Sequence, residues 1–312
     1  MRKLALPERV YHWWFHHLPS HPGKERVLRC LHRLALRSGK PFVWRMRNGS
    51  RLVLDPREGL VYTGTVGWRC FLDGVWEPHV EGYLRAILEP GDTAIDVGAN
   101  VGYFTAAMAQ AVGPAGRVVS FEPVPEIRDS LTRAIGLNDF ENVKVLDCAL
   151  GSREGASDIS VDPRVAGSSS LVSAPLPPSI PPSPEAYSVS VKVRPLDDLI
   201  TSGEVDASNV KLLKVDAEGS ELDVLRGATK LIEGARPHVV FELNAVASRA
   251  AGWSLADIRS LLETVGGYDL YQLTDDGPKP FEGGGADLRE GDFIDLAAAP
   301  SEKFALVTEA AT

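Results

Sequence analysis

The chain has 312 residues, 44% of them hydrophobic, enough for one large α/β domain and a smaller appendage. Its net charge of −9 is uneven: residues 1–50 hold 11 Lys/Arg against 2 Asp/Glu, leaving 22 against 40 in the remainder. So acidic a main domain argues against nucleic acid as a partner, and the three scattered cysteines form neither a disulfide framework nor a zinc site. No run reaches the roughly 18 apolar residues of a membrane span, and the N-terminus lacks a secretory apolar core. A soluble cytoplasmic protein is expected.

Residues 7–18 and 22–37 read as two basic amphipathic helices, with Leu28, Leu31, Leu34 and Ala35 at helical spacing in the second. The spacing favours packing on the main domain or on a second copy in a homodimer. The aromatic run Tyr11–Leu18 leaves a peripheral membrane or acyl-chain contact open. Residues 42–46 and 51–54 predict a hairpin about Asn48-Gly49-Ser50, with Val61–Thr63 as a third strand. A helix follows over 78–88, with Val80, Leu84, Ile87 and Leu88 on one face, and Glu89-Pro90-Gly91 ends it. An extension over 1–74, a main domain over 75–300 and a tail over 301–312 are therefore expected.

From residue 91 strands and helices alternate, which implies a mostly parallel sheet with helices on both faces. Strands are expected at 93–97, 117–121, 143–148, 210–216 and 238–242, with helices at 103–112, up to Leu137, at 196–199, 220–226 and 254–265. Ser220 and Asp223 have capping-box spacing, and Ser254 is placed to cap the helix it opens. A strand at 188–193 follows a Pro/Ser-rich insertion, 151–188, read as an irregular lid. Two late strands, 268–273 and 292–296, are expected as an antiparallel pair at the sheet edge.

The stretch from Asp92 to Thr105 organises the rest. It reads as a buried strand, a glycine turn and the first turn of a helix, with Asp96 at the strand's carboxyl end, where open α/β sheets bind ligands. Gly98 and Gly102 permit a tight turn and a close backbone approach, and the helix start offers free N–H groups. A dinucleotide fingerprint would need glycines where Asn100 and Tyr103 stand, and no P-loop occurs. An adenosine cofactor without phosphate remains, and S-adenosylmethionine fits.

Four motifs then occur in order. They are Asp96-Val97-Gly98-Ala99-Asn100-Val101-Gly102-Tyr103-Phe104, Phe121-Glu122-Pro123, Leu196-Asp197-Asp198-Leu199, and Lys214-Val215-Asp216-Ala217-Glu218-Gly219-Ser220-Glu221. Over about residues 75–245 the chain resembles FkbM-type methyltransferases. The resemblance implies a class I, Rossmann-like methyltransferase fold with a seven-stranded sheet. It also implies transfer of a methyl group from S-adenosylmethionine to a hydroxyl of a sugar or polyketide-type small molecule.

Glu122, ending the second strand before Pro123, is placed to accept from both ribose hydroxyls, a role compatible with capping the next helix. Asp96 orients the turn or receives the methionine ammonium. Asn100, which tolerates left-handed backbone, suits the same end. The cofactor shell further comprises Gly98, Ala99, Gly102, Tyr103, Phe104, Thr105 and Asp216. By resemblance, Glu77 reaches the methionine moiety, and Cys148 and Ala149 flank the adenine. Lys214, Asp216, Glu218, Glu221 and Glu242 form an acidic constellation. Glu218 or Asp216 is then the general base. By analogy, Asp216 and Glu242 would instead hold a divalent metal. A purely structural reading has Glu218 and Glu221 capping a helix and Lys214 paired to an acid. Two other functions stay open: a non-catalytic docking module using the basic aromatic N-terminus, and a dehydrogenase, which Asn100 and Tyr103 disfavour.

Overall fold

The computed structural model describes residues 42–54, 70, 74–162, 184, 186–283 and 293–301. The elements in order are β1 (Phe42–Arg45), β2 (Arg51–Leu54), α1 (Pro78–Ile87), β3 (Thr93–Val97), α2 (Tyr103–Val112), β4 (Arg117–Phe121) and α3 (Pro125–Leu137). Then come β5 (Val143–Leu146), β6 (Cys148–Leu150), β7 (Gly155–Val161), β8 (Tyr187–Arg194), α4 (Leu196–Thr201) and β9 (Val210–Val215). The chain goes on through α5 (Glu221–Arg226), α6 (Thr229–Ala235), β10 (His238–Asn244), α7 (Ala245–Ala250) and α8 (Leu255–Thr264). It closes with β11 (Tyr268–Thr274), β12 (Gly277–Pro280) and β13 (Phe293–Pro300).

The central sheet has eight strands in the order β12-β11-β13-β10-β9-β3-β4-β5, one more than expected. Five are parallel neighbours, β10 to β5 in that order, while β13 runs antiparallel between β10 and β11. The late strands do pair, but only the β11–β12 hairpin lies at the edge; β13 is interior and extends to Pro300. The extra strand β12 holds Pro278 and Pro280. Among the described residues no helix is long and apolar enough to cross a membrane.

The sheet carries a core on each face. Phe121, Val215, Leu225, Phe241 and Leu262 pack on one face, and Leu84, Met108, Leu212 and Val240 on the other. Trp44, Met46, Leu52 and Leu54 of the β1–β2 hairpin belong to the second core, so the hairpin is packed on the main domain. Asn138, after α3, locks it there: its side chain accepts from Arg51 N–H and donates to Arg51 C=O, each at 2.8 Å.

Other departures have local causes. The third strand breaks at Asp147: β5 stays in the main sheet, and β6 joins a three-stranded sheet ordered β6-β8-β7. The stretch 151–188 is therefore not irregular throughout, since β7 pairs along its length with β8. Helices α6 and α7 were not anticipated. Asn244 begins α7 by accepting from Val246 and Ala247 N–H, both at 3.0 Å. No box forms at Ser220, because Asp223 instead accepts from Ser152 N–H at 3.0 Å. At Ser254 the cap forms, with Asp257 accepting from its N–H at 2.8 Å and its hydroxyl at 2.7 Å. The helices expected at 7–18 and 22–37, the strand at 61–63, the proline run 175–182 and nearly all of the tail lie outside the described residues.

The glycine turn is fixed by neighbours rather than left open for a ligand. Gly98, at φ +76°, lies so close to the end of β9 that a Cβ there would stand 1.9 Å from the Asp216 carbonyl oxygen. A Cβ on Gly102, at φ +93°, would meet Leu131 Cδ1 at 2.6 Å. Gly98→Ala should therefore destabilise the fold by about 3 kcal/mol, from left-handed strain plus backbone overlap. Gly82→Ala, inside α1 with nothing within 4 Å, should stabilise it by about 0.5–1 kcal/mol. Denaturant midpoints of the two variants check the contrast.

Candidate active site

A cleft with about 980 Å³ of empty space, part of it open to solvent, lies over the carboxyl ends of β3, β4, β9 and β10. Gly98, Ala99, Asn100, Tyr103 and Phe104 form its floor, and Glu122, Pro123, Cys148 and Ala149 one end. Glu77, Lys214, Asp216, Glu218 and Glu242 form the other. Asp96, Gly102 and Thr105 lie behind this surface, and so does Glu221.

Glu122 is only 5% exposed. Its carboxylate accepts from Asn100 N–H at 3.0 Å and Val124 N–H at 2.9 Å, which ties the glycine turn to the tip of β4. Burial pushes its pKa up to about 7, against those two hydrogen bonds. A carboxylate has about four acceptor sites, so two remain for hydroxyl donors. Beyond it Ile127, Ala149, Leu150 and Ile159 make an apolar wall, the last supplied by β7.

Asp96 is fully buried. Its Oδ2 accepts from the Thr105 hydroxyl at 2.6 Å, and its Oδ1 has no hydrogen bond. Thr105 thus holds Asp96 instead of facing the cleft. Lys214, 4% exposed, sits 3.1 Å from Asp216 Oδ2 and 3.9 Å from Asp96 Oδ1, with its Nζ 4.7 Å from the Phe104 ring centre. Burial alone would lower the lysine pKa. Asp216, Asp96 and Glu77 outweigh it and keep the ammonium charged.

The acidic end is crowded. Burial, followed by repulsion from Asp216, raises the pKa of both Glu218 and Glu242 well above the ordinary carboxylate value. Glu77 is raised by burial and then by Asp295 and Asp216. Glu218 is further held by a hydrogen bond from Asn244, the cap of α7. The turn that carries Glu218 is clamped by Trp253 Nε1, which donates to Gly219 C=O at 2.6 Å. Glu221 accepts from Ala217 N–H at 3.1 Å and Gly219 N–H at 3.0 Å, so it closes this turn from behind.

Asp295, His79 and Trp76, like Asn244 and Trp253, carry no site signal in the sequence. Asp295 lies opposite Glu242 on β13, and one oxygen from each of Glu77, Glu242 and Asp295 lies within 4.8 Å of the others. Asp216 is not part of that trio. His79, in the first turn of α1, bonds Asp295 Oδ2 through Nε2 at 2.7 Å. Trp76 lines the cleft beside Glu77. No spacing signal marks Asp295, because an antiparallel return brings it in from far along the chain.

Backbone strain collects at the same place. Of the six non-glycine residues with positive φ among those described, Glu77 (39°), Asn100 (50°) and Glu218 (47°) all line the cleft. Such conformations persist where a surrounding structure over-determines them, and they cluster at ligand sites.

The model of the FkbM methyltransferase domain matches residues 96–270, more than half of the chain. The chain belongs to the FkbM methyltransferase family. This FkbM chain is 33% identical over 176 residues to methyltransferase sdnD of Sordaria araneosa, covering 46% of this chain and 63% of that protein. It is 33% identical over 150 residues to methyltransferase 1 of Beauveria bassiana, covering 44% and 59%. To the hexuronic acid methyltransferase AglP of Haloferax volcanii it is 31% identical over 167 residues, covering 52% and 61%. The chain thus spans about 60% of the length of the curated relatives it matches.

Glu122 and Glu221, both at about 7 against an ordinary 4.5, bind protons more tightly in the folded state than in the unfolded one. Their contribution to stability is therefore present below about pH 4.5 and is lost as pH rises through about 7. The ligand-free protein should lose thermal stability across that window. Glu122→Gln should flatten the slope, as a melting series against pH would show.

Proposed function

We propose that this FkbM chain is an S-adenosylmethionine-dependent O-methyltransferase acting on a hydroxyl of a small glycosyl or polyketide-type acceptor. The observation that carries the reading is one continuous cleft. At one end are an apolar wall and Glu122 with acceptor capacity to spare; at the other are carboxylates of raised pKa. Family membership gives the transferase class, and the relative named for a hexuronic acid favours a sugar-like acceptor. Among the described residues Cys70 and Cys148 are buried thiols outside any disulfide, which fits a reducing cytoplasm.

The residues present fit the donor. Glu122 would take the ribose hydroxyls, Ile127, Ala149 and Ile159 the adenine, and Asn100 and Glu77 the amino-acid end. When bound, the sulfonium supplies an electrophilic methyl group and departs as S-adenosylhomocysteine. Positioning is the larger task for the protein, since the displacement is a single in-line step. The acceptor hydroxyl loses its proton as its oxygen forms the new bond to carbon. Glu218 is the best-placed base: it faces the cleft, is anchored by Asn244, and has a pKa that burial and then Asp216 raise well above the ordinary carboxylate value. Asp216 is the weaker choice because Lys214 holds it.

Calorimetry should find S-adenosylhomocysteine bound at sub-millimolar affinity, and Glu122→Ala should weaken it about tenfold or more. Glu218→Gln should lower kcat by about 100-fold with little change in KM. Unchanged turnover in that variant would remove Glu218 from the role of base.

A second reading is favoured by the trio Glu77, Glu242 and Asp295, whose all-oxygen donor set suits a hard divalent cation that would lower the acceptor's pKa. Activity abolished by EDTA and restored by Mg²⁺ or Mn²⁺ supports it; full activity in excess chelator excludes it.

A further inference from the structure

Glu77 stands in left-handed backbone, φ 39° and ψ 70°, directly before Pro78. A residue before proline is ordinarily driven to extended backbone, so this conformation must be held from outside. Among the described residues no hydrogen bond or ion pair reaches the Glu77 carboxylate. Its place in the cleft therefore depends on its backbone.

What grips that backbone is a buried polar knot at the start of α2. The Tyr103 hydroxyl, in a residue 2% exposed, donates to Glu81 Oε2, and Trp76 offers the same hydroxyl a backbone hydrogen bond. Glu81 Oε1 accepts from Arg85 Nε at 2.8 Å and from Asn48 Nδ2 at 3.1 Å, and Glu81 N–H donates to Glu77 C=O at 3.0 Å. Arg85 also donates to Gln110 Oε1 on α2 at 2.8 Å. Asn48 in turn accepts from Ser50 N–H at 3.0 Å, inside the β1–β2 turn. One phenol thus joins the hairpin, the Trp76–Glu77 bend and the helix that follows the glycine turn.

We infer that Tyr103 is a positioning residue whose hydroxyl, through Glu81 and the Trp76 amide, fixes the strained bend that aims Glu77 at the amino-acid end of the donor. The inference rests on the cofactor reading above. It assigns the β1–β2 hairpin a share in donor binding, although no residue of it lines the cleft.

A double-mutant cycle read by calorimetry with S-adenosylhomocysteine tests it. Tyr103→Phe should weaken binding about tenfold, and Glu77→Gln by a similar factor. In the Glu77→Gln background the further effect of Tyr103→Phe should fall below about twofold. Glu81→Gln, which approaches the knot from its other side, should reproduce the Tyr103→Phe loss and the same coupling. Equal losses from Tyr103→Phe in both backgrounds would overturn the inference, since a general loosening of the fold is additive. So would a Glu77→Gln protein that binds as tightly as the parent. In both cases binding by the parent chain leaves the cofactor reading intact, whereas a parent chain that ignores S-adenosylhomocysteine removes both.

Discussion

Lys214 Nζ lies between Asp216, at 3.1 Å, and Asp96, at 3.9 Å, beneath the Phe104 ring and almost out of contact with water. Burying an ion costs several kcal/mol unless partners surround it, and taking away one partner leaves the other charge stranded. These three side chains come from the two central strands, β3 and β9, whose ends also share the Asp216 N–H to Val97 C=O bond of 3.0 Å. The glycine turn and the acidic turn are therefore not independent loops. They meet where Gly98 leaves no room for a Cβ against the Asp216 carbonyl, and the ion pair lies just behind that contact.

That arrangement explains why some of the site was legible in the sequence and some was not. The central strands show as apolar runs because both their faces are buried, so Asp96, Glu122, Asp216 and Glu242 could be placed near strand ends from spacing alone. Asn100 announces its left-handed backbone by residue type. Glu221 misleads, because it points back to the N–H groups of its own turn, and Thr105 serves Asp96. The reason Gly98 must be glycine is a contact with a strand more than a hundred residues later, which no local pattern records. Asp295, Trp253 and Asn244 reach the site through tertiary placement, and nothing in their neighbourhoods marks them.

Around this centre the chain has added walls. The β6-β8-β7 sheet continues the broken third strand and brings Ile159 to the apolar end of the cleft. Its alternation is faint in sequence because most of β7 faces water. The hairpin at the other end packs Trp44, Met46 and Leu52 under α1 and α2 and braces Glu81 from the turn. Both additions press on the glycine turn and the acidic turn from outside. They stiffen the rim where Glu77, Asn100 and Glu218 hold unfavourable backbone.

The added strand β12 carries a consequence for association. Phe281 N–H donates inward to Leu270 C=O at 2.8 Å, so residues an odd number of places away, Pro278 among them at three and Pro280 at one, turn their nitrogens outward. Those nitrogens carry no hydrogen. The outer rim of the sheet thus offers no donor at either position, and a neighbouring chain has little to zip onto there. Extension of the ladder by a second copy along β12 is thereby disfavoured.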